Sequence, residues 1–356
     1  MNLTGVALLD AIRYLPSVRT RTAELRGYAE LRQETKDALH PLVSLGQLGN
    51  SKQPARILEL ALKRVGPCFL DLNTATGQTC ENWEDLCDPA NNFEAWRTFA
   101  ASGENVTPVA LLRDGATERP FVRQILAIER DFGAVVVRSR KPAQELAALQ
   151  AALSAVDDVN NLLIVLDFGF IRGAFEPKET EARRVITALR TIDPGARIAV
   201  LSSSYPRNVS VYGDSRGTLE ILEREMHANL GGEEVAIYGD HASIYPEPFE
   251  ASVSRWVPRV DYCLSDAWRW ERRRDDAGGF VECARRVVAL PDWEPDFADR
   301  AWGAGIIRTT ATQGFIESGF GSPANWIAAR VNMHIERQAG MSAAGEADDL
   351  DDDDEF

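Results

Sequence analysis

The chain has 356 residues, 45% of them apolar and 26% charged, an ordinary composition for one large globular domain or two smaller ones. No apolar run approaches the roughly 18 residues of a membrane span, no basic stretch precedes the short apolar part of the N-terminus, and five scattered cysteines without a Cys-x-x-Cys pair indicate neither a disulfide framework nor a zinc knuckle. The net charge is −15, and eight of those charges fall between Glu346 and Phe356 with no base among them; the remaining −7 or so disfavours extended nucleic-acid binding but leaves room for a local basic groove. The expected location is the cytoplasm, with no membrane contact.

In chain order, residues 1–38 read as a helical segment packing on the rest of the domain, with Tyr14-Leu-Pro interrupting it and an amphipathic stretch at 22–33. Eight short apolar runs come next, at 40–45, 68–73, 106–113, 134–140, 162–167, 197–202, 235–241 and 260–266. Several are near-continuously apolar, as strands buried on both faces of a parallel sheet must be. Helical patterns at 57–64, 119–130, 142–157, 176–192, 215–230 and 246–256 supply crossovers between them. Asp193-Pro-Gly closes the fourth of these and Gly231-Gly232 the fifth. The connection after the second run carries Trp83, Trp96 and two cysteines, and its length predicts a locally packed subdomain or lid. Residues 275–335, with Trp293, Trp302 and Trp326, complete an outer helical ring and cap one end. From 336 the chain turns Ala/Gly/Ser-rich and then polyacidic, which predicts a disordered tail over 336–356. The rhythm predicts an α/β fold, a (β/α)8 TIM-barrel-like single domain over 39–335, whose functional face is the C-terminal mouth of the strands.

The polar residues at those strand ends are the candidate site. They are Asp71 and Asn73, Arg113, Arg138 and Arg140, Asp167, Ser202 and Tyr205, Asp240 and His241, and Asp266 followed by Arg269. Arginine forks suit phosphate or carboxylate, and carboxylates beside a histidine suit general acid–base chemistry. Asp167, Asp240, His241 and Asp266 are accordingly the catalytic candidates, and the others the ligand-binding ones. Asp71, Asp167, Asp240 and Asp266 could together hold a hard cation such as Mg2+. The same residues equally suit structural ion pairs across a barrel mouth. Two-histidine phosphodiester cleavage has little support, because only His241 among four histidines ends a strand, and no Glu ends one as a glycosidase would favour. The run Arg269-Trp-Glu-Arg-Arg-Arg274 reads as an amphipathic surface or as a base-stacking one.

Three segments carry a resemblance: Tyr14-Leu-Pro-Ser-Val-Arg19-Thr-Arg21-Thr-Ala-Glu24, Tyr238-Gly-Asp240-His241-Ala-Ser243, and Asn325-Trp326-Ile-Ala-Ala-Arg330-Val-Asn332-Met-His334. In order and spacing they resemble the phage beta-protein family, over about residues 14 to 335. The resemblance implies a phage, prophage or antiviral-defence context without a settled reaction, and gives weight to Tyr14, Arg19, Arg21 and Glu24 as residues plugging or lining the barrel. Together these readings lead to a barrel that binds, and if an enzyme hydrolyses, a phosphate-bearing, nucleotide-like ligand at its mouth, as a phosphoesterase would. The alternatives are a non-catalytic component that binds a partner protein of the same locus, and a carbohydrate-active barrel with Trp268, Trp270 or Tyr205 at the mouth.

Overall fold

The computed structural model describes residues 5–75, 77–113, 118–247 and 256–351, with side chains up to 343. The strands in chain order are β1 (Tyr14–Arg19), β2 (Leu42–Leu45), β3 (Cys68–Leu72), β4 (Val106–Ala110), β5 (Val135–Ser139), β6 (Leu162–Phe170), β7 (Arg197–Ser203), β8 (Arg216–Glu220), β9 (Ile237–Asp240), β10 (Arg259–Cys263) and β11 (Ala267–Arg272). Strands β1 to β7 and β9 close an eight-stranded barrel in that order, every neighbouring pair parallel. The remaining three form an antiparallel sheet in the order β10-β11-β8.

The predicted barrel is therefore present, but two strands are exchanged relative to the sequence reading. The first barrel strand is Tyr14–Arg19, from the segment expected to be helical. Pro16 lacks the N–H a helix interior needs, whereas a short strand accommodates it. The run at 260–266 forms β10 outside the barrel, paired with β11. Residues 215–230, expected as one helix, split into β8 and the helix Leu222–Leu230. Residues 248–255, most of the crossover expected at 246–256, lie outside the described residues.

Alternation along the strands separates two environments. Leu15, Leu42, Phe69, Val109, Val136, Leu163, Val165, Ala199 and Leu201 form one buried cluster inside the barrel, closed at the N-terminal end by Leu9 and Ile12. The alternate residues face the helices. The helix Pro54–Val65 illustrates how: Pro54 opens it, Gly66 at φ 73° ends it, and Ile57, Leu58, Ala61 and Val65 make the stripe buried against the sheet. Ile57, Leu58 and Val65, removed from water, each contribute about 1.5–3 kcal/mol.

The last helix, Pro323–Asp351, packs on the helix Thr22–Ala29 and on β1, so it completes the outer ring beside the strand that closes the barrel. Glycine permits the close approach on both sides. A Cβ on Gly27 would stand 2.6 Å from the Ala328 carbonyl oxygen, and one on Gly303 would collide with the backbone of Ala329. Residues 336–343, expected to begin a disordered tail, continue this helix, with Glu336, Gln338 and Ser342 buried. The small sheet lies in the connections after β7 and β9, and its core of Tyr262, Trp268, Trp270, Phe280 and Trp326 caps the side of the barrel. Among the described residues no helix is long and apolar enough to cross a membrane.

Candidate functional site

Five of the candidate residues meet inside the mouth. Asp71 lies two positions beyond Phe69 on β3, Arg138 two beyond Val136 on β5 and Asp167 two beyond Val165 on β6, so all three continue the inward-facing rows. Arg138 is the hub. Its Nη2 donates to Asp167 Oδ2 at 2.7 Å and its Nε to the same oxygen at 3.1 Å, while Nη1 donates to Asp71 Oδ2 and to Ser44 Oγ, each at 2.9 Å. Arg140, one pleat nearer solvent, also donates to Asp71 and keeps a third of its side chain exposed. His241 comes just after β9, and its Nε2 bonds Asp167 Oδ1 at 2.9 Å. The Gly169 amide donates to the same oxygen at 2.9 Å, where Gly169 takes φ 60° at a register shift in β6.

Charge is balanced in this network, two guanidinium groups against two carboxylates. Burial disfavours the Asp167 carboxylate, but His241 and Arg138 outweigh it and hold its pKa far below the carboxylate range. Burial likewise opposes the Arg138 charge, and Asp167 and Asp71 overcome that effect. Arg19, at the end of β1 opposite Ser44, stands beside them, joined to Glu24 through Nε and Nη2 at 3.0 and 2.9 Å.

Asp240 does not join them. Neighbours along a strand face opposite sides, and because Ile237 packs inward, Asp240 points out of the barrel toward the last helix. There it accepts four hydrogen bonds: Tyr14 Oη at 2.8 Å and the Ala242 amide at 2.7 Å on Oδ1, Tyr238 Oη at 2.9 Å and His334 Nε2 at 2.9 Å on Oδ2. Both Asp240 and His334 are fully buried. Burial alone would discharge His334; Asp240 outweighs it and holds the imidazole pKa up at about 10. Burial, then Asp240, raises the pKa of Tyr14, and the same order holds for Tyr238, so both remain donors. His334 stacks on Trp268 at 5.5 Å, and Cys263 Sγ lies 3.8 Å from its Nδ1.

The other candidates are dispersed. Asp266 is exposed in the turn between β10 and β11, and Arg269 pairs with Asp292 on the cap, because the strand preceding them is not a barrel strand. Arg113 turns away to the Cys87 carbonyl at 3.1 Å and to Glu84 at 3.3 Å. Asn73 is buried and fixes its own loop by accepting from the Ala75 amide at 3.0 Å. Ser202 is buried in register with Asp240. Tyr205 is buried under Arg330, which donates to its hydroxyl and to Asp261, each at 2.8 Å. The four aspartates proposed for a hard cation are thus not one cluster, and among the described residues no group of three or more His, Cys, Asp or Glu could hold a metal ion.

Sequence reasoning on strand ends missed Ser44, Tyr238, Cys263, Arg330 and His334 as partners. Tyr238, Arg330 and His334 do lie in the motif segments, which was the one available signal.

A closed parallel barrel with a polar cluster at the C-terminal ends of β3, β5 and β6 and just past β9 defines a TIM-barrel-type α/β protein. Within that class the chain belongs to the Beta protein family, whose model matches residues 14–340. It is 34% identical to Protein beta of Enterobacteria phage P4 over 338 residues, covering 93% of this chain and 94% of that protein. Among solved structures it is similar to the carboxyl transferase domain of Rhizobium etli pyruvate carboxylase, at 12% identity and a TM-score of 0.38, covering 94% of this chain. It spans only about half (49%) of that structure's chain, and the likeness is too slight to carry an argument.

Proposed function

We propose that the mouth binds, and by acid–base chemistry hydrolyses, a phosphate-bearing, nucleotide-like ligand in the cytoplasm, in a phage or defence setting. The observation that carries this reading is the chain His241–Asp167–Arg138–Asp71–Arg140, which ends in one partly exposed guanidinium and one oriented imidazole. Arg138 is spent on the two aspartates and holds them in place. Arg140 is then the cation that meets the anion. Asp167 fixes His241 through Nε2, and no described residue hydrogen-bonds Nδ1, the nitrogen left to exchange a proton with the ligand or a water. Calorimetry with nucleoside mono-, di- and triphosphates tests it. Arg140→Ala is expected to weaken binding about tenfold, the worth of one charge-assisted hydrogen bond at ~1.5 kcal/mol, and His241→Asn to stop turnover while leaving binding in place. Equal affinity in the wild type and Arg140→Ala overturns the reading.

Two exposed apolar side chains favour a second reading, docking of a partner protein from the same locus. Val211 and Tyr212, in the connection after β7, are 73% and 45% exposed. Co-purification of a stoichiometric partner that is lost in Val211→Ser, with no bound small molecule, would favour it. The carbohydrate reading loses its support, because Trp268, Trp270 and Tyr205 are buried.

A further inference from the structure

A further cation stands at the edge of the mouth, where β1 ends. Arg19 lies four positions beyond the inward-facing Leu15, so its side chain enters the mouth. The chain then turns at once: the Arg21 amide donates to the Arg19 carbonyl at 2.6 Å, and the helix Thr22–Ala29 begins. Thr20, at the corner, is buried and locked to the residue after β2. Its Oγ1 donates to the Gly46 carbonyl at 2.8 Å and accepts from the Gly46 amide at 2.7 Å. The turn thereby keeps two guanidinium groups, Arg19 and Arg21, close together on a fixed base.

The charges there do not balance. Glu24, the acid beside them, is committed to Arg19: its Oε1 accepts from Nη2 at 2.9 Å and its Oε2 from the Arg19 amide at 2.8 Å. Among the described residues none hydrogen-bonds or ion-pairs with the Arg21 guanidinium or with Arg19 Nη1, and Arg21 is partly buried. Burial, and after it the Arg19 charge, lowers the Arg21 pKa, with Glu24 opposing in part. An arginine in a protein keeps its proton, so that cost stands until a counter-charge arrives. Across the mouth Arg138 and Arg140 balance Asp71 and Asp167, and Arg19 balances Glu24, which leaves Arg21 as the uncompensated charge of the set. Its position relative to Arg140 is fixed by register. Arg19, Ser44 and Asp71 stand side by side on β1, β2 and β3. Neighbouring strands are about 4.8 Å apart, so Arg19 lies roughly 10 Å along the rim from Asp71, where Arg140 is held. A single phosphate group is too small to meet both ends, whereas a chain of phosphates reaches from one to the other.

We infer that the ligand of this mouth carries a chain of phosphates, one group meeting Arg140 and a further one held by Arg21 and Arg19 Nη1. The inference rests on the reading that the mouth binds a nucleotide-like anion, and it narrows the class to di- and triphosphates over monophosphates. Calorimetry of the full chain with the four ribonucleoside triphosphates and the matching monophosphates tests it. The wild type is expected to bind a triphosphate at least about tenfold tighter than its monophosphate, the worth of one charge-assisted hydrogen bond. Arg21→Ala removes that advantage and leaves the monophosphate affinity unchanged, while Arg140→Ala weakens both ligands. Because Arg21 has no partner to lose, Arg21→Ala should also melt at or above the wild-type temperature without ligand, as a residue serving a structural ion pair would not. Equal wild-type affinity for the two ligands overturns this inference and leaves the reading of the mouth standing. The same holds if Arg21→Ala binds the triphosphate as the wild type does, weakens both ligands alike, or melts lower. A wild type that binds none of the eight nucleotides overturns both.

Discussion

Asp240→Asn keeps the side-chain shape and removes one charge, so its cost can be worked out from the contacts. Each Asp240 oxygen accepts two donors: Oδ1 from Tyr14 and Ala242, Oδ2 from Tyr238 and His334. Whichever way the asparagine amide turns, its NH2 faces one tyrosine hydroxyl, which can turn to accept, and one N–H donor, Ala242 or His334, whose hydrogen bond is lost. That leaves a buried donor unsatisfied at about 1–3 kcal/mol. Removing one partner of a buried ion pair costs about 3–5 kcal/mol. These descriptions overlap, so the expected loss at pH 7 is about 3–5 kcal/mol, a large part of the ~5–15 kcal/mol that holds a domain together. The pH profile supplies an independent sign. His334 is raised to about 10 in the folded state, against ~6.5 unfolded. Its stabilisation is therefore complete below about pH 6.5 and disappears as pH rises through about 10. Asp240 is depressed despite burial, because His334 favours its charge, so its contribution is present above ~pH 3.9 and is lost as pH falls through its folded value. In Asp240→Asn burial acts on His334 with only Cys263 left to oppose it, and the decline from pH 6.5 to 10 flattens. Urea unfolding tracked by circular dichroism at four pH values measures both. A loss under ~1 kcal/mol, or wild-type and variant profiles that stay parallel, refutes the reasoning.

Other substitutions separate structural from ligand-facing groups. Arg138→Leu removes the shared ion-pair partner of two buried carboxylates, leaving Asp71 with Arg140 and Asp167 with His241, and should cost about 3–5 kcal/mol in urea unfolding. Arg269→Ala breaks a partly exposed pair with Asp292, so it should change stability by under ~1 kcal/mol and leave calorimetric binding at the mouth unchanged. Gly27→Ala drives a Cβ against Ala328 and Val331 and should lose about 1–3 kcal/mol, read as a lower melting temperature. Gly173→Ala, whose Cβ would meet open space, is the control and should be neutral or stabilising by up to ~1 kcal/mol.

The barrel was legible because strands buried on both faces need continuous apolar runs, and seven of the eight predicted runs are barrel strands. The exchange of β1 for β10 has a physical cause. Tyr14–Arg19 mixes Pro16, Ser17 and Arg19 among its apolar residues, while 260–266 has the pattern of a buried strand. Periodicity reports burial and not the identity of the partner strand. The error propagated to Asp266 and Arg269, which come after the wrong strand. Asp71, Arg138, Arg140, Asp167 and His241 were legible as a group, since a correct strand end places its inward residue at the mouth. Asp240 was misjudged because strand position alone does not say which of two neighbours faces inward. His334 lies 94 residues from Asp240, and only the closing motif segment drew attention to it.

Asp240 and His241 are adjacent and serve opposite sides of one strand end, which ties the outer ion pair to the mouth. Ala242 and Ser243 come next at φ 49° and 60°, a conformation that costs non-glycine residues about 1–3 kcal/mol each. Two side-chain contacts outside the barrel hold that turn: the Ala242 amide to Asp240 Oδ1, and Arg330 Nε to Ser243 Oγ at 3.3 Å. Ser203 Oγ on β7 adds a third, donating to the Ile244 carbonyl at 2.9 Å. The strained turn that aims His241 at Asp167 is thus maintained in part from the last helix. Loosening it should be felt inside the mouth even though no mouth residue has changed. In Asp240→Asn, amide exchange at 241–244 should quicken by more than the global loss of stability accounts for, and any ligand held at Arg140 and His241 should bind more weakly. Exchange at 241–244 that rises only in step with the rest of the barrel would show the two sides of β9 to be independent.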